Sequence, residues 1–294
     1  MSAQNRTPQT SKIVLITGAT DGLGKATAML LAERGYRVFA AGRSAEKRAQ
    51  LDTLARERKL PLETLELNVE DDDSVQRGVA SVLAKGSAID VLINNAGVNF
   101  TATVEDLSME DWRRQFETNV FGVLRVTKAV LPHMREHRRG RILMMSSVSG
   151  FLTPPTQGAY SGSKHALEGI SNALRLELYP FGIQVVLIQP GYIVTGIQKA
   201  SAELSRAYFE NKNNSPYASL YERFSKSVNV SRAKSRSTPE DCARVVLRAM
   251  EAASPKPRYG VTGLAAVAKW LKRLLSDSAA DAIFRRRFGI TREA

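Results

Sequence analysis

Three residues stand at a spacing that supports proton transfer: Ser147, then Tyr160 thirteen positions on, then Lys164. Tyr160 and Lys164 are four apart, so on a helix both head groups reach one small volume. An ammonium beside a phenol favours the phenolate, and so brings a group with a pKa of about 10 toward working pH. That is the requirement for general acid–base work. Ser147 adds a second hydrogen bond to an oxygen whose charge changes during reaction. Ser147, Tyr160 and the downstream Tyr192 are accordingly the residues expected to meet a substrate. The competing reading is an exposed Tyr–Lys pair of the kind many helices carry.

The elements that must position these groups follow from hydrophobic patterning. Residues 159–178 read as a helix, because Ala166, Leu167, Ile170, Leu174 and Leu178 recur at helical spacing. Residues 12–17 form a short β-branched run of the fully buried strand type, which leads directly into Gly18-Ala19-Thr20-Asp21-Gly22-Leu23-Gly24 and then a helical pattern. Strand, glycine turn and helix make half a βαβ unit, in which Gly18, Gly22 and Gly24 let backbone approach a pyrophosphate at the helix N-terminus. The competing reading is an ordinary tight turn.

A second strand at 36–41 ends in Gly42-Arg43-Ser44. An acidic residue at that place accepts from a free ribose 2′-hydroxyl, whereas an Arg receives a 2′-phosphate. Gly42 stands where the acid belongs and Arg43 follows, which favours NADP(H) over NAD(H); Lys47 and Arg48 read as helix surface. Further strands are expected at 63–69, 89–93, 141–145 and 184–188, with helices at 45–58, from the acidic turn 70–74, and at about 108–137. The strand at 89–93 ends in Asn94-Asn95-Ala96-Gly97, small and amide residues able to bond backbone across a ligand crevice. Ser108–Asp111 reads as a capping box. Asn119 falls mid-helix, where Asn is mildly unfavourable and therefore either functional or a surface residue. Strands alternating with helices, without a repeat or a linker, predict an α/β fold. It is a single-domain, Rossmann-type, doubly wound parallel sheet with helices on both faces.

The 294-residue chain has 43% hydrophobic and 24% charged residues, an ordinary globular balance. The single Cys242 excludes an internal disulfide framework and a Cys-based zinc site. His133 and His137 have i, i+4 spacing but no third ligand in reach, so no metal site is expected. The net charge of +13 is concentrated late, with nine basic against three acidic residues in 254–294. No nucleic-acid motif and no basic–aromatic interleaving accompanies it, so nucleic acid is not an expected partner. No run of eighteen apolar residues is present. The first eleven residues are polar, without an apolar signal core, and read as a flexible leader on a cytoplasmic protein.

Taken together, the motifs resemble the short-chain dehydrogenase/reductase family. They are Thr-Gly-Ala-Thr-Asp-Gly-Leu-Gly (17–24), Asn-Asn-Ala-Gly (94–97), Asn119, Ser147, Tyr160-x-x-x-Lys164 and Pro190-Gly191, and the likeness covers roughly residues 12–250. The resemblance implies an NADP-preferring oxidoreductase acting on CH–OH groups. Tyr160 exchanges the proton, Lys164 lowers its pKa and holds the nicotinamide ribose, and Ser147 binds the reacting oxygen. Asn119 anchors a water relay from Lys164 to solvent. Toward the dinucleotide it implies the 18–24 loop with Thr20, Asp21 and Leu23, then Arg43, Asn68, Val69, Asn95, Ala96 and Gly97, and near the nicotinamide Pro190, Gly191, Ile193 and Thr195. Two positions depart from the commonest pattern. Asn68 replaces an Asp, though it keeps an acceptor, and Asp21 stands where NADP-preferring members often carry a base.

Residues 195–232 form a polar insertion with Tyr208, Phe209, Tyr217, Tyr221 and Phe224. These aromatics either wall an apolar substrate or pack two short helices. The first alternative points to a steroid-, retinoid- or lipid-like alcohol or ketone. Beyond the core at 12–253, the basic extension 254–294 carries an apolar stripe of Leu264, Val267, Ala268, Leu271, Leu274 and Leu275. It docks on the protein itself, on a second subunit, or peripherally on a membrane. The family habit implies a homodimer or homotetramer through the helices at about 110–137 and 159–178. A 3-oxoacyl-thioester reductase and a cofactor-sensing binding protein without turnover are the alternative functions.

Overall fold

The computed structural model describes residues 12–263 and 274–291. Its first strand, β1 (Ile13–Ile16), is entirely buried, as a β-branched run covered on both faces must be. Helix α1 (Gly22–Glu33) follows the glycine turn, and then β2 (Arg37–Gly42), α2 (Ala45–Glu57), β3 (Leu62–Glu66), α3 (Asp72–Gly86) and β4 (Val91–Asn94). Strands β5 (Gly140–Met145), β6 (Ile183–Gln189) and β7 (Arg258–Gly260) complete a sheet of order β3-β2-β1-β4-β5-β6-β7. Every adjacent pair is parallel. The strand order reverses between β1 and β4, and a crevice opens there at the strands' carboxyl ends.

The two faces bury separate apolar layers. One packs Met29 and Leu31 of α1 and Leu51 of α2 with Val246 and Met250 of α10 (Pro239–Glu251). The other packs Val75 and Val79 of α3 with Val126 and Val130 of α5 (Gly122–Glu136) and Leu167 of α6 (Gly158–Glu177). Helix starts are fixed by side chains that satisfy first-turn amides: Ser44 accepts from Lys47, Asp71 from Ser74 and Ser108 from Asp111. Thr238 and Asp241 form a reciprocal capping box on α10.

The helix expected at 108–137 is not uniform. It runs as α4 (Met109–Phe116), one π-helical turn (Glu117–Phe121) and then α5. A π turn admits one extra residue and is commonest at functional sites; here it holds Asn119. The third strand ends at Glu66, so Asn68 and Val69 lie beyond it rather than inside it. Strand β7 was not foreseen, and it carries the sheet past residue 253. Beyond it lies α11 (Asp277–Phe288), where Phe288 stacks on Phe224 of α9 (Ala218–Lys234) at 6.4 Å. Most of the apolar stripe at 264–275 lies outside the described residues, as does the leader. Among the described residues no helix is long and apolar enough to cross a membrane.

Candidate active site

The glycine loop is held by the strand that follows the switch point. Thr17 Oγ1 accepts from the backbone N–H groups of Asn95 (3.0 Å) and Ala96 (3.1 Å). The Asn95 side-chain amide donates to the carbonyls of Thr17 and Gly18 at 3.0 and 2.9 Å. Approach is so close that a Cβ at Gly18, already at φ +61°, would stand 2.8 Å from Ala96 Cα. At Gly24 it would lie 2.3 Å from the Gly18 carbonyl oxygen. Both positions therefore require glycine. In α1 the first-turn amides have no intrahelical partner; Asp21 Oδ1 accepts from Gly22 N (2.7 Å), which leaves the turn's remaining N–H groups for an anion. A dinucleotide pyrophosphate fits this donor set.

At the end of β2, a Cβ on Gly42 would run into the Thr20 side chain at 2.6 Å, so no carboxylate fits there while Thr20 keeps its place. Arg43 follows, largely exposed, with its guanidinium 4.0 Å from Glu70. Lys47, expected as bare helix surface, reaches Asp21 Oδ2 at 2.5 Å and draws the Asp21 carboxyl below its usual range. Asn68 Oδ1 accepts from Glu70 N at 3.3 Å, and the Val69 carbonyl accepts from Arg125.

The acid–base residues come from three elements. Ser147 leaves the end of β5, buried, and caps the short turn Val148–Gly150. Tyr160 and Lys164 lie on the first two turns of α6. The Lys164 Nζ sits 5.6 Å from the Tyr160 ring centroid and donates to the Met145 carbonyl at 2.8 Å. Asn119 is fully buried in the π turn. Its Oδ1 accepts from Val98 N (2.8 Å), while Nδ2 donates to Val98 O (3.0 Å) and to Ser163 Oγ (3.1 Å). With Gln115, which pairs the backbone of Val98 and Phe100, it pins the chain leaving Gly97.

Burial pushes the Tyr160 phenol above its ordinary range, and the hydrogen bond from Ser147 only opposes this. Burial also pulls Lys164 down to about 8. A low-dielectric site disfavours both charged forms.

Past β6, Pro190 is buried with its carbonyl accepting from Val148 N (2.9 Å), which joins the Ser147 turn to the Pro190–Gly191 turn. The turn then closes on Gln198: its Oε1 accepts from Thr195 N at 2.7 Å and its Nε2 donates to Ile193 O at 2.6 Å. Tyr192 is half-buried, with its carbonyl accepting from Ser235. Of the two readings of the insertion's aromatics, packing is what the structure shows. Tyr221 is fully buried and donates to Asp106 (2.8 Å); Tyr208 donates to Asp111 and Tyr217 to Glu105, each at 2.6 Å. Phe209 meets Tyr221 edge-on at 5.1 Å. These side chains latch α8 (Arg206–Glu210) and α9 onto residues 105–111, while Ser201 of α7 (Gly196–Leu204) donates to the Asn99 carbonyl at 2.6 Å. Among the described residues no His/Cys/Asp/Glu cluster could hold a metal.

A parallel sheet whose switch point carries a glycine turn, beside a half-buried Tyr160 and a buried Lys164, defines the class: an oxidoreductase that uses a nicotinamide dinucleotide. The chain belongs to the short chain dehydrogenase family, whose model matches residues 12–205. It is 42% identical to an uncharacterized oxidoreductase of Bacillus subtilis over 72% of this chain and 75% of that one. It is also 42% identical to the 3-ketodihydrosphingosine reductase of Bacteroides thetaiotaomicron (63% and 65%) and 34% identical to the retinol dehydrogenase 8 of Bos taurus (84% and 80%). Among solved structures, an actinorhodin polyketide ketoreductase with NADPH superposes at TM-score 0.74, with 28% identity over 88% of this chain and 99% of that one. A Burkholderia phymatum family member in complex with NAD gives TM-score 0.77 at 24% identity, over 90% and 94% of the two chains.

Proposed function

We propose that this enzyme moves a hydride between NADP(H) and a ketone or secondary alcohol carrying a large apolar skeleton of steroid, retinoid or lipid type, with Tyr160 as the acid–base group. The observation that carries the reading is the convergence of buried Ser147, from a strand end, and buried Lys164, one helical turn on, upon the half-buried Tyr160. The dinucleotide, when bound, gives or takes the hydride. In reduction, Tyr160 passes its proton to the carbonyl oxygen and Ser147 donates a second hydrogen bond to that oxygen as negative charge develops. In oxidation Tyr160, as the phenolate, takes up the alcohol proton while Ser147 keeps its hydrogen bond to the same oxygen.

The 18–24 loop, Asn68, Val69 and Asn95–Gly97 hold the adenosine and pyrophosphate, Lys164 the nicotinamide ribose, and Pro190, Gly191, Ile193 and Thr195 the nicotinamide itself. Arg43 faces the 2′-phosphate, and the crowding of Gly42 by Thr20 supports this, since it excludes the carboxylate that a free 2′-hydroxyl calls for. Asn119 acts by position, because its side chain is occupied by Val98 and Ser163. The apolar substrate class is supported by the two relatives named for a long-chain sphingoid ketone and for retinol. It is supported also by Val104 and Val194, exposed apolar residues of which the first packs over Gly158, two positions from Tyr160. A second copy of the chain is expected over α5 and α6: Phe121, just before α5, is 52% exposed, Leu176, near the end of α6, 74%, and Tyr179, just beyond α6, 82%.

Replacing Tyr160 by Phe tests the core of this reading. Turnover falls by about 10³-fold while NADPH fluorescence still titrates with near-native affinity; native turnover in Y160F defeats it. A panel of retinal, a 3-keto sphingoid base, a steroid ketone and a small sugar ketone, each with both dinucleotides, tests the substrate class. Turnover of the sugar alone overturns it.

A further inference from the structure

One turn beyond Lys164 on α6 stands Glu168, a side chain only 13% exposed that sequence motifs do not mark. Its Oε1 accepts from Ser146 Oγ at 2.7 Å and from Gln189 Nε2 at 2.8 Å. Its Oε2 accepts from Arg258 Nε at 2.8 Å, and Arg258 also donates to Asn172 Oδ1 at 2.7 Å. The three donors sit on three different strand ends. Ser146 lies between Met145, whose carbonyl takes the Lys164 ammonium, and Ser147; Gln189 directly precedes Pro190; Arg258 opens β7. The last residue of β5, Met145, and the next, Ser146, are thus tied to two successive turns of α6, the first through Lys164 and the second through Glu168.

We propose that Glu168, neutralised by Arg258, is a positioning residue that fixes Ser147 and Lys164 relative to Tyr160 by clasping the ends of β5, β6 and β7 to the catalytic helix. This rests on the assignment of those three residues as the acid–base set. A carboxylate suits the place because its two oxygens accept from several donors at once, and burial makes each of those bonds stiff. The element that matters for rate is the acceptor facing Ser146 and Gln189, since displacement of a catalytic group by about 1 Å costs up to about 100-fold in rate. Arg258 supplies charge balance, without which the carboxylate would be a lone buried charge.

Paired variants separate positioning from mere stability. In E168Q/R258M the Gln carbonyl keeps an acceptor toward Ser146 and Gln189 while both charges go; in E168L/R258M the acceptor is lost as well. With activity scaled to folded protein by active-site titration with NADPH, E168L/R258M loses about tenfold or more in kcat, with the dinucleotide KM within about twofold, and E168Q/R258M recovers most of that loss. Equal kcat in the two double variants, or a loss that disappears on scaling to folded protein, overturns the proposal. Y160F in the same assay keeps the two claims apart. If it turns over normally, the acid–base assignment has failed; if it is dead while E168L/R258M is native in kcat, only the clasp has failed.

Discussion

At the ends of β5, β6 and β7 the charged side chains are buried and held by fixed partners, whereas at the ends of β2 and β3 they stand in solvent as ion pairs. Lys164 is 5% exposed and bonded to Met145 O, and Glu168–Arg258 is 13% and 22% exposed. Lys47–Asp21 is about half exposed on both sides, and Arg43 is 69% exposed beside Glu70. In the first region the low dielectric makes each bond strong and each missing partner costly. In the second, water and salt leave a pair at about 1 kcal/mol or less, so it re-forms around an arriving phosphate with little penalty. On the proposed assignment the acid–base groups are rigidly fixed, while dinucleotide choice would rest on contacts that are easily altered.

The contrast is sharpest in Ser147→Ala, which removes one donor from the buried region. Turnover falls about 100-fold with NADPH affinity within about twofold, by steady-state kinetics and fluorescence titration. A comparable loss of affinity would erase the division of labour. Next is Lys164→Met, read as stability. Burial pulls the Lys164 ammonium from its ordinary 10.5 down to about 8, so between these values the unfolded chain holds more protons and stability rises with pH. Below pH 8 the buried ammonium is a standing cost. Relative to wild type, K164M gains about 2 kcal/mol at pH 7, net of the lost bond to Met145, and the gain fades as pH approaches 10.5. Urea unfolding at pH 7 and 10 measures it, and a pH-independent difference contradicts the burial effect.

Smaller changes are expected at the solvent-exposed end. Arg43→Ala lowers kcat/KM with NADPH about tenfold and leaves NADH nearly unchanged; equal losses with both would remove Arg43 from the 2′-phosphate. Smallest is Asp21→Asn, which keeps the cap on α1 but frees Lys47. It tightens NADPH about threefold at low salt, and the gain shrinks at 0.5 M salt. A salt-independent gain would mean Asp21 acts through packing instead.

The sequence exposes what depends on near neighbours. The buried run at Ile13–Ile16, the glycine turn after it and the i, i+4 pair of Tyr160 and Lys164 all show in a window of a few residues. The Rossmann-type order of β1 to β6 follows from their alternation with helices. What stayed hidden depends on partners far along the chain. The two charges of Glu168 and Arg258 are 90 residues apart, and neither has a local pattern that marks it. Strand β7 is three residues long, too short for a periodic signal. Tyr221 and Asp106 meet across 115 residues, so nothing local distinguishes a packing tyrosine from one that walls a ligand. Burial raises the Tyr160 phenol against any neighbouring cation, and the four-residue spacing to Lys164 does not report it.

The π turn at Glu117–Phe121 has a consequence for how this chain can vary. Removing one residue there lets the helix close in regular register with little rotation of α5 against α4, because the wider turn already absorbs the extra residue. Val126 and Val130 then keep their places in the core beneath the sheet, whereas Asn119 loses the displaced position from which it holds the backbone of Val98. A single-codon deletion there is thus expected to spare the fold while loosening the chain that leaves Gly97.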